Sequence, residues 1–431
     1  MVVYKQKYGH AQIYTGGMRM DIVYERVCGL DIHKNIIAAC MIKKGRREHR
    51  QFGTMTDELL SLSAWLQGND CQMVAMESTG SYWKPIYNIL EAEKLPVMVA
   101  NAQHIKAVPG RKTDVKDAEW IADLLRHGLI NASFIPPREW RDLRELVRYR
   151  KSLIEERARE FNRIQKVLEG SNIKLGSVIS DIDGKTGCNI IDAIISGVTD
   201  PHDLAALSKG SIRRKQELLG RSLTGLINDH LRSILGLMRQ HVRCLDELIE
   251  IADAKIYTCL TSENDILERI MTIPGVGLKT AEIILAEIGT DMSRFPTAHH
   301  LASWAGICPG NNESAGKKYS GRIRKANNSL KTALAQSAKV NALRRGTYLN
   351  SQYYRIAARR GPNRATIAVA HTILIIVYHI IKDGTVYQEL GDNYFDELKK
   401  EAVIRRSVKR LEALGYEVSI ATPEVVEELQ P

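Results

Sequence analysis

Apolar side chains return at alternating steps of four and three residues in two separate stretches of this chain, a spacing that strongly favours long, laterally paired helices. In the first stretch the series runs Leu143, Val147, Ile154, Phe161, Ile164 and Leu168, with Arg150 and Arg157 at two of its positions. In the second it runs Leu231, Leu235, Met238, Val242, Leu245, Ile249, Ala252 and Ile256. A mean period of 3.5 keeps one stripe of a helix turned toward a partner. The spacing therefore predicts two long helices, joined as a hairpin within the chain, paired between chains as a coiled coil, or serving as a plain spacer. The arginines argue against a wholly dry seam. Between the helices, residues 170 to 210 carry several glycines and Asp200-Pro201, which predicts a partly irregular connection.

Upstream the pattern is different. Short apolar and β-branched runs at 27–32, 36–42, 72–77 and 95–99 predict strands, with a weaker one from His49 to Phe52, and helices fit 56–67, 80–93 and 114–127. The first strands form a meander and the later ones alternate with helices, so the sheet is mixed. Two predicted strands end on acids, Asp31 after Val27-Cys28-Gly29-Leu30 and Glu77 after Met73-Val74-Ala75-Met76. Asp114 and Asp117, three apart, share one face of a predicted helix. This is how a ribonuclease-H-like sheet delivers metal-binding carboxylates. Four carboxylates gathered together repel one another, so their convergence calls for Mg²⁺ or Mn²⁺ and points to phosphoryl chemistry. His33, two residues after Asp31, could approach the metal site, but packing at its strand end is the expectation, and Asp123 is expected to lie on the surface.

A chain of 431 residues is long enough for two or three cores, and a formal net charge of +11 favours a polyanionic partner. Seven cysteines without a Cys-x-x-Cys pair indicate neither a disulfide framework nor a zinc ribbon, and predict a reducing, cytoplasmic setting. Residues 1–20 lack the apolar segment of a signal peptide and read as an arm or an upstream start, Met18 and Met20 being alternative first residues. The apolar stretch from Ile367 to Ile381 is short and interrupted by His371, Thr372 and His379, so a buried helix is expected there and no membrane partner.

Nearer the C-terminus, Ile273-Pro274-Gly275-Val276-Gly277 sits between two helical patterns. A Gly-x-Gly turn of this kind matches a helix-hairpin-helix, in which Gly275 and Gly277 admit a phosphate to backbone N–H groups and Lys279 adds charge. From Ser314 to Arg364 the chain has no acidic residue, while Lys317, Lys318, Arg322, Arg324, Lys325, Lys331, Lys339, Arg344, Arg345, Arg355, Arg359, Arg360 and Arg364 are cationic. That asymmetry is the footprint of a phosphate-backbone site, with Tyr319, Tyr348, Tyr353 and Tyr354 interleaved as stacking candidates. Ser314 lies inside this field, in a Gly/Asn-rich loop, where cations could hold a scissile phosphate. The residues alone do not choose among Ser314, Ser320 and Ser329 as a nucleophile.

Together Gly29-Leu30-Asp31-Ile32-His33-Lys34, Met76-Glu77-Ser78-Thr79-Gly80-Ser81-Tyr82, Lys112-Thr113-Asp114-Val115-Lys116-Asp117-Ala118, the Pro-Gly-Val-Gly turn and the segment from Ser314 to Leu330 resemble the DEDD-type insertion-sequence transposases. That family includes the pilin-gene invertase and is described as bridge-RNA-guided recombinases. The resemblance implies an α/β RuvC-like N-terminal domain, long coiled-coil helices and a mainly α-helical C-terminal transposase domain with the helix-hairpin-helix. In this chain those are 25–135, 136–261 and 262–390, after an arm over 1–24 and before a helical tail over 391–431. It further implies Asp31, Glu77, Asp114 and Asp117 as metal ligands, Ser314 as the nucleophile forming a 5′-phosphoserine link, a structured guide RNA, and a dimer or tetramer acting on donor and target DNA. The chain departs from the family in flanking Ser314 with Glu313 and Ala315, and in having Ala326 before Asn327. Two other readings of the residues stand beside it. One is a metal-dependent junction nuclease that activates water, and the other a non-catalytic nucleic-acid-binding architectural protein.

Overall fold

The computed structural model describes residues 21–78, 80–100, 117–308, 312–314, 317–320 and 327–420, with backbone only over 312–314 and 317–320. The expectations for residues 1–20, Asp114, Arg322, Arg324 and Lys325 lie outside the described residues. The chain divides into two units between Ile135 and Pro136.

In the first unit the apolar runs become strands β1 (Arg26–Ile32), β2 (Ile36–Lys43) and β3 (Arg46–Gly53), followed by helix α1 (Thr56–Gly68), β4 (Met73–Glu77), α2 (Trp83–Ala92), β5 (Val97–Ala100) and α3 (Asp117–Arg126). They form a mixed sheet of order β3-β2-β1-β4-β5. The first three strands are the expected antiparallel meander, while β4 runs parallel to β1 and β5 parallel to β4. Lys43 pairs with Arg46, leaving a two-residue turn at Lys44 (φ 49°) and Gly45 (φ 81°). Positive φ at both positions suits the right-handed twist of a hairpin, and Gly45 adopts it without a Cβ penalty. One face of the sheet buries Cys28, Leu30 and Ile32 with residues of α1 and α2, among them Leu62, Leu66 and Ile86. The other buries Val27, Cys40 and Ala75 under Ala118, Ile121, Ala122 and Leu125 of α3.

The second unit is mostly helical. Its two longest helices are α4 (Arg138–Gly170) and α9 (Asp229–Leu260). They pack on each other within one chain, and Arg150 pairs with Asp253 while Arg157 pairs with Asp246, so the numbering runs in opposite senses and the helices form an antiparallel hairpin. One seam residue differs from expectation. Ile154 is 43% exposed and Leu153 takes the inward position at 5%. A straight helix of 3.6 residues per turn drifts by about 20° per heptad against a 3.5 repeat, enough to hand the seam to a neighbour.

The stretch expected to be partly irregular between these helices is so, its short helices α5 (Leu175–Val178), α6 (Lys185–Ile195), α7 (Pro201–Ala206) and α8 (Gln216–Ser222) alternating with non-helical connections such as 179–184, 196–200 and 207–209. Asp200-Pro201, read as a break, opens a helix, with the Asp200 side chain accepting from His202 N at 2.8 Å and Pro201 at the first position, where its missing N–H costs nothing. Ile190, Ile191, Ile194, Leu204, Leu219 and Leu223 are buried against the end of the hairpin, around Phe161, Leu168, Leu231 and Leu235. Helices this short have weak local signals, and their burial against the hairpin is what holds them.

Beyond the hairpin come α10 (Asn264–Met271), α11 (Leu278–Ile288), α12 (Ala298–Trp304), the two-stranded β6 (Asn312–Ser314) and β7 (Lys317–Ser320), then α13 (Asn328–Leu343), α14 (Tyr348–Arg360), α15 (Pro362–Asp383), α16 (Tyr394–Glu397) and α17 (Lys400–Ala413). By length and composition α15 could cross a membrane. Here it buries Val369, Ala370, Ile373, Leu374 and Val377 against its neighbours α12, α13 and α14, and Tyr378 Oη donates to Phe295 O at 2.9 Å. It is the core helix that the interrupted apolar run suggested.

Candidate active site

Asp31 is the penultimate residue of β1, and Glu77 ends β4. Because Leu30 pairs with Met76 across these parallel strands, the next row sets Asp31 beside Glu77 on the same face and at the same end of the sheet. That face is the one covered by α3, whose first residue is Asp117. The packing there leaves no room for a side chain at Gly29, where a Cβ would sit 2.2 Å from Ala118 O and 2.5 Å from Ala122 N. The missing side chain lets the helix start settle directly on β1, two residues before Asp31. Gly29→Ala is expected to push α3 off the sheet and to destabilise the protein by about 1–3 kcal/mol, checked by urea unfolding of the purified protein. On its outer side α3 is tied to the sheet by Arg47 of β3, which pairs with Glu119 and, at 2.8 Å, with Asp123. Asp123, expected on the surface, therefore helps dock the helix.

Asp31 and Asp117 line one open cavity of about 760 Å³ that also takes in His33, Lys34, His49 and Arg50. His33 does not pack at the strand end. It is 69% exposed, with Nε2 3.1 Å from Asp31 Oδ2. Lys34, which closes the motif that begins at Gly29, and Arg50, which no sequence motif singles out, are cations at the cavity wall. The donor chemistry suits a hard divalent cation, because carboxylate oxygens are what Mg²⁺ and Mn²⁺ take. Among the described residues, however, no three potential ligands gather at metal-holding distance. The strand register sets Asp31 beside Glu77 and the cavity joins Asp31 to Asp117, while Asp114 lies outside the described residues. Burial pushes the Cys40 and Cys71 thiols up to about 11, which favours their neutral form.

In the second unit the segment expected to be a loop around Ser314 is a β-hairpin, whose register sets Ser314 opposite Lys317 and Glu313 opposite Lys318, with an irregularity between Asn312 and Glu313. A strand four residues long with two consecutive lysines carries little strand signal, so the pairing was not legible. Downstream of the hairpin, Asn327 caps α13 by accepting from Leu330 N at 3.2 Å and donates from Nδ2 to Glu287 Oε2 at 2.6 Å. Glu287 is 0% exposed and also holds Arg148 through two bonds of 2.8 and 2.9 Å, and Arg144 at 3.2 Å. Burial lowers the Arg144 guanidinium to about 10 against the opposing pull of Glu287. This cluster fastens the long hairpin, α11 and the start of α13 together, and its members are too far apart in sequence for any local pattern to join them. Glu287→Ala leaves two guanidinium groups facing each other without their shared counter-ion and should cost about 3–5 kcal/mol, read as a lowered midpoint in thermal unfolding.

The helix–turn–helix at 264–288 is formed as expected, but its residues divide the work differently. Gly275 has φ 75°, and a Cβ there would lie 2.7 Å from Asn341 Nδ2, which itself donates to Pro274 O at 2.6 Å. Gly275 thus serves packing of the turn against α13. Gly277, at the N-cap of α11, has open space on its Cβ side, so the first N–H groups of that helix are the ones a phosphate could approach. Lys279 is engaged with Asp253 of α9, whose carboxyl is held below its usual range by Lys279 and Arg150 despite partial burial. Along the basic segment Lys339, Arg344, Arg345, Arg359, Arg360 and Arg364 are exposed. Among the described residues Arg355 is the member of that series in an ion pair, with Asp396 at 2.6 Å.

A mixed five-stranded sheet with acids at neighbouring strand ends, followed by a basic helical body, is compatible with the DEDD, RuvC-like class of DNA-cutting transposases. Comparison with known families agrees from both halves of the chain: residues 28–173 match the DEDD transposase family of IS110, and residues 267–355 match the transposase family IS116/IS110/IS902. The chain is 22% identical over 373 residues to the transposase for insertion sequence element IS1111A of Coxiella burnetii, covering 84% of this chain and 91% of the relative. It is 28% identical over 308 residues to the uncharacterized 43.6 kDa protein of insertion element IS110 from Streptomyces coelicolor, covering 65% and 73%. It is 23% identical over 373 residues to the pilin gene-inverting protein of Moraxella bovis, covering 84% and 97%. The chain belongs to the IS110/IS116 family of insertion-sequence transposases and DNA invertases.

Proposed function

We propose that the protein moves its element by cutting and rejoining DNA through Ser314, with Asp31, Glu77, Asp114 and Asp117 forming the metal-dependent half of the site. The observation that carries this reading is the strand register that brings Asp31 beside Glu77 beneath the helix beginning at Asp117. A divalent cation bound there would offset the charge of the clustered carboxylates and of a scissile phosphate. Ser314 Oγ, losing its proton, attacks phosphorus; the new Oγ–P bond forms as the P–O3′ bond breaks, and the departing 3′ oxygen takes up a proton. The resulting 5′-phosphoserine ester keeps the energy of the broken bond, so an incoming 3′-hydroxyl reverses the step without ATP. Lys317, in register with Ser314, and Lys318, Arg322, Arg324 and Lys325 supply cations for the phosphate, while the N-terminus of α11 at Gly277 grips duplex backbone.

Moving an element, as the Coxiella relative is named for, and inverting a pilin gene, as the Moraxella relative is named for, both need strands cut and resealed. That shared need supports an ester intermediate over simple hydrolysis. The reading extends to a bridge RNA as guide, to a dimer or tetramer in which one copy's acids work with another's Ser314, and to action in the cytoplasm. A second reading, a RuvC-like nuclease that activates water, is favoured by the family match that spans the acid-bearing unit. Trapping on nicked donor DNA separates the two: a protease-sensitive covalent protein–DNA adduct supports the serine, and release of free 5′-phosphate ends without adduct supports water.

A further inference from the structure

Helix α14 and the last two helices enclose a groove of about 710 Å³ that the proposed chemistry does not use. Its rim is cationic, with Arg355 and Arg359 from one wall and Lys399 and Arg406 from the other, and its floor is apolar, with Phe395 and Leu398 among the lining. None of the residues lining it is acidic. The far wall is pinned by contacts of its own: Phe395 stacks on Tyr348 with ring centroids 5.1 Å apart and planes 18° from parallel, and Arg355 holds Asp396. Those contacts occupy Arg355. Arg359, Lys399 and Arg406 are exposed and, among the described residues, in no ion pair with a carboxylate. Helix α17 buries no residue and adds Arg405, Lys409 and Arg410 beside the groove. Both regions matched to the transposase families end at or before residue 355, so most of the groove is built by chain beyond them.

We infer that this groove binds an unpaired nucleic-acid strand, with sugar and base edges on the apolar floor and phosphates on the cationic rim. A duplex presents its phosphates on a convex surface and has no use for an apolar floor, whereas a single strand offers both apolar and anionic groups side by side. The inference does not depend on Ser314 or the acids, because it concerns binding and not cleavage.

The test uses the full chain and three labelled probes of about 20 nucleotides: oligo(dT), oligo(rU) and a mixed-sequence duplex. The double variant Lys399→Ala, Arg406→Ala changes only exposed side chains outside the basic segment. It should lose about fivefold or more in affinity for the single strands, and its slope of log affinity against log salt should be shallower by about 1, with the duplex changed less than about threefold. Loss for both single strands assigns the shared chemistry, and a loss confined to oligo(rU) or to oligo(dT) assigns RNA or DNA as the source. Leu398→Asn, at a residue 65% exposed, should weaken single-strand binding by removing apolar contact while leaving the charge of the rim unchanged. Unchanged single-strand affinity in both variants overturns the inference. So does an equal loss for the duplex, or displacement of the oligonucleotide from the wild-type groove by a poly-glutamate peptide at matched charge, which would make the groove an acidic-peptide site.

Discussion

Ser314→Ala is expected to abolish both the covalent adduct and the rejoined product, a fall of at least about a thousandfold in recombination, with binding of donor DNA preserved. The size of the effect follows from chemistry. Losing the hydroxyl removes the atom that keeps the broken bond's energy in an ester, and the other candidate serine of the hairpin is not its neighbour: Ser314 pairs with Lys317 across the ladder, whereas Ser320 pairs with Asn312 at the hairpin's other end. Folding is not at issue, since the substitution removes one oxygen from a short hairpin. The assay is strand transfer on a supercoiled donor, with adducts resolved before and after protease. Recombination at the wild-type rate would sink the nucleophile assignment, and nicking that survives without joining would establish the water-using nuclease instead.

Asp31→Asn should lower strand cleavage by at least about a hundredfold while leaving DNA binding and thermal stability near the wild type. Asparagine keeps the shape of the side chain and its place at the end of β1, but it withdraws one negative charge from the corner that also holds Glu77 and Asp117. A cation attracted there by carboxylates would be held less well, and raising Mg²⁺ or Mn²⁺ should recover part of the activity. The same substitution discriminates against a purely architectural role, in which loss of an acid beside a basic surface changes little. Cleavage unaffected at every metal concentration would remove the acids from the mechanism.

Asp31 stands out because its signal is local, whereas the residues alone do not separate Ser314 from Ser320 and Ser329, and only the family resemblance singles it out. A run of apolar residues ending in an acid describes β1 with Asp31 and β4 with Glu77 in full, since alternation, burial and the emergence of the strand end into solvent are all written within a few residues. The same holds for the turn at Gly275 and for the heptad series, although their details shifted. Ile154 gave way to Leu153, Gly275 proved to serve packing with Asn341, and Lys279 is taken up by Asp253. In each case the residue's neighbour comes from elsewhere in the chain, and a sequence pattern carries no information on which distant side chain will be met.

Hydrophobic period and charge asymmetry are properties of consecutive residues, so a mixed sheet with acidic strand ends ahead of a basic helical body is already written in the chain. Long-range packing settles the rest: the long helices close on each other within one chain, short helices fold in the stretch between them, Ser314 sits on a paired strand, and a buried Glu287 joins Arg144, Arg148 and Asn327. Those outcomes rest on burial and on ion pairs between residues far apart in the chain, such as that of Arg144 with the Glu287 carboxylate. Their energy exists only once the chain has collapsed and water has been excluded from between the partners.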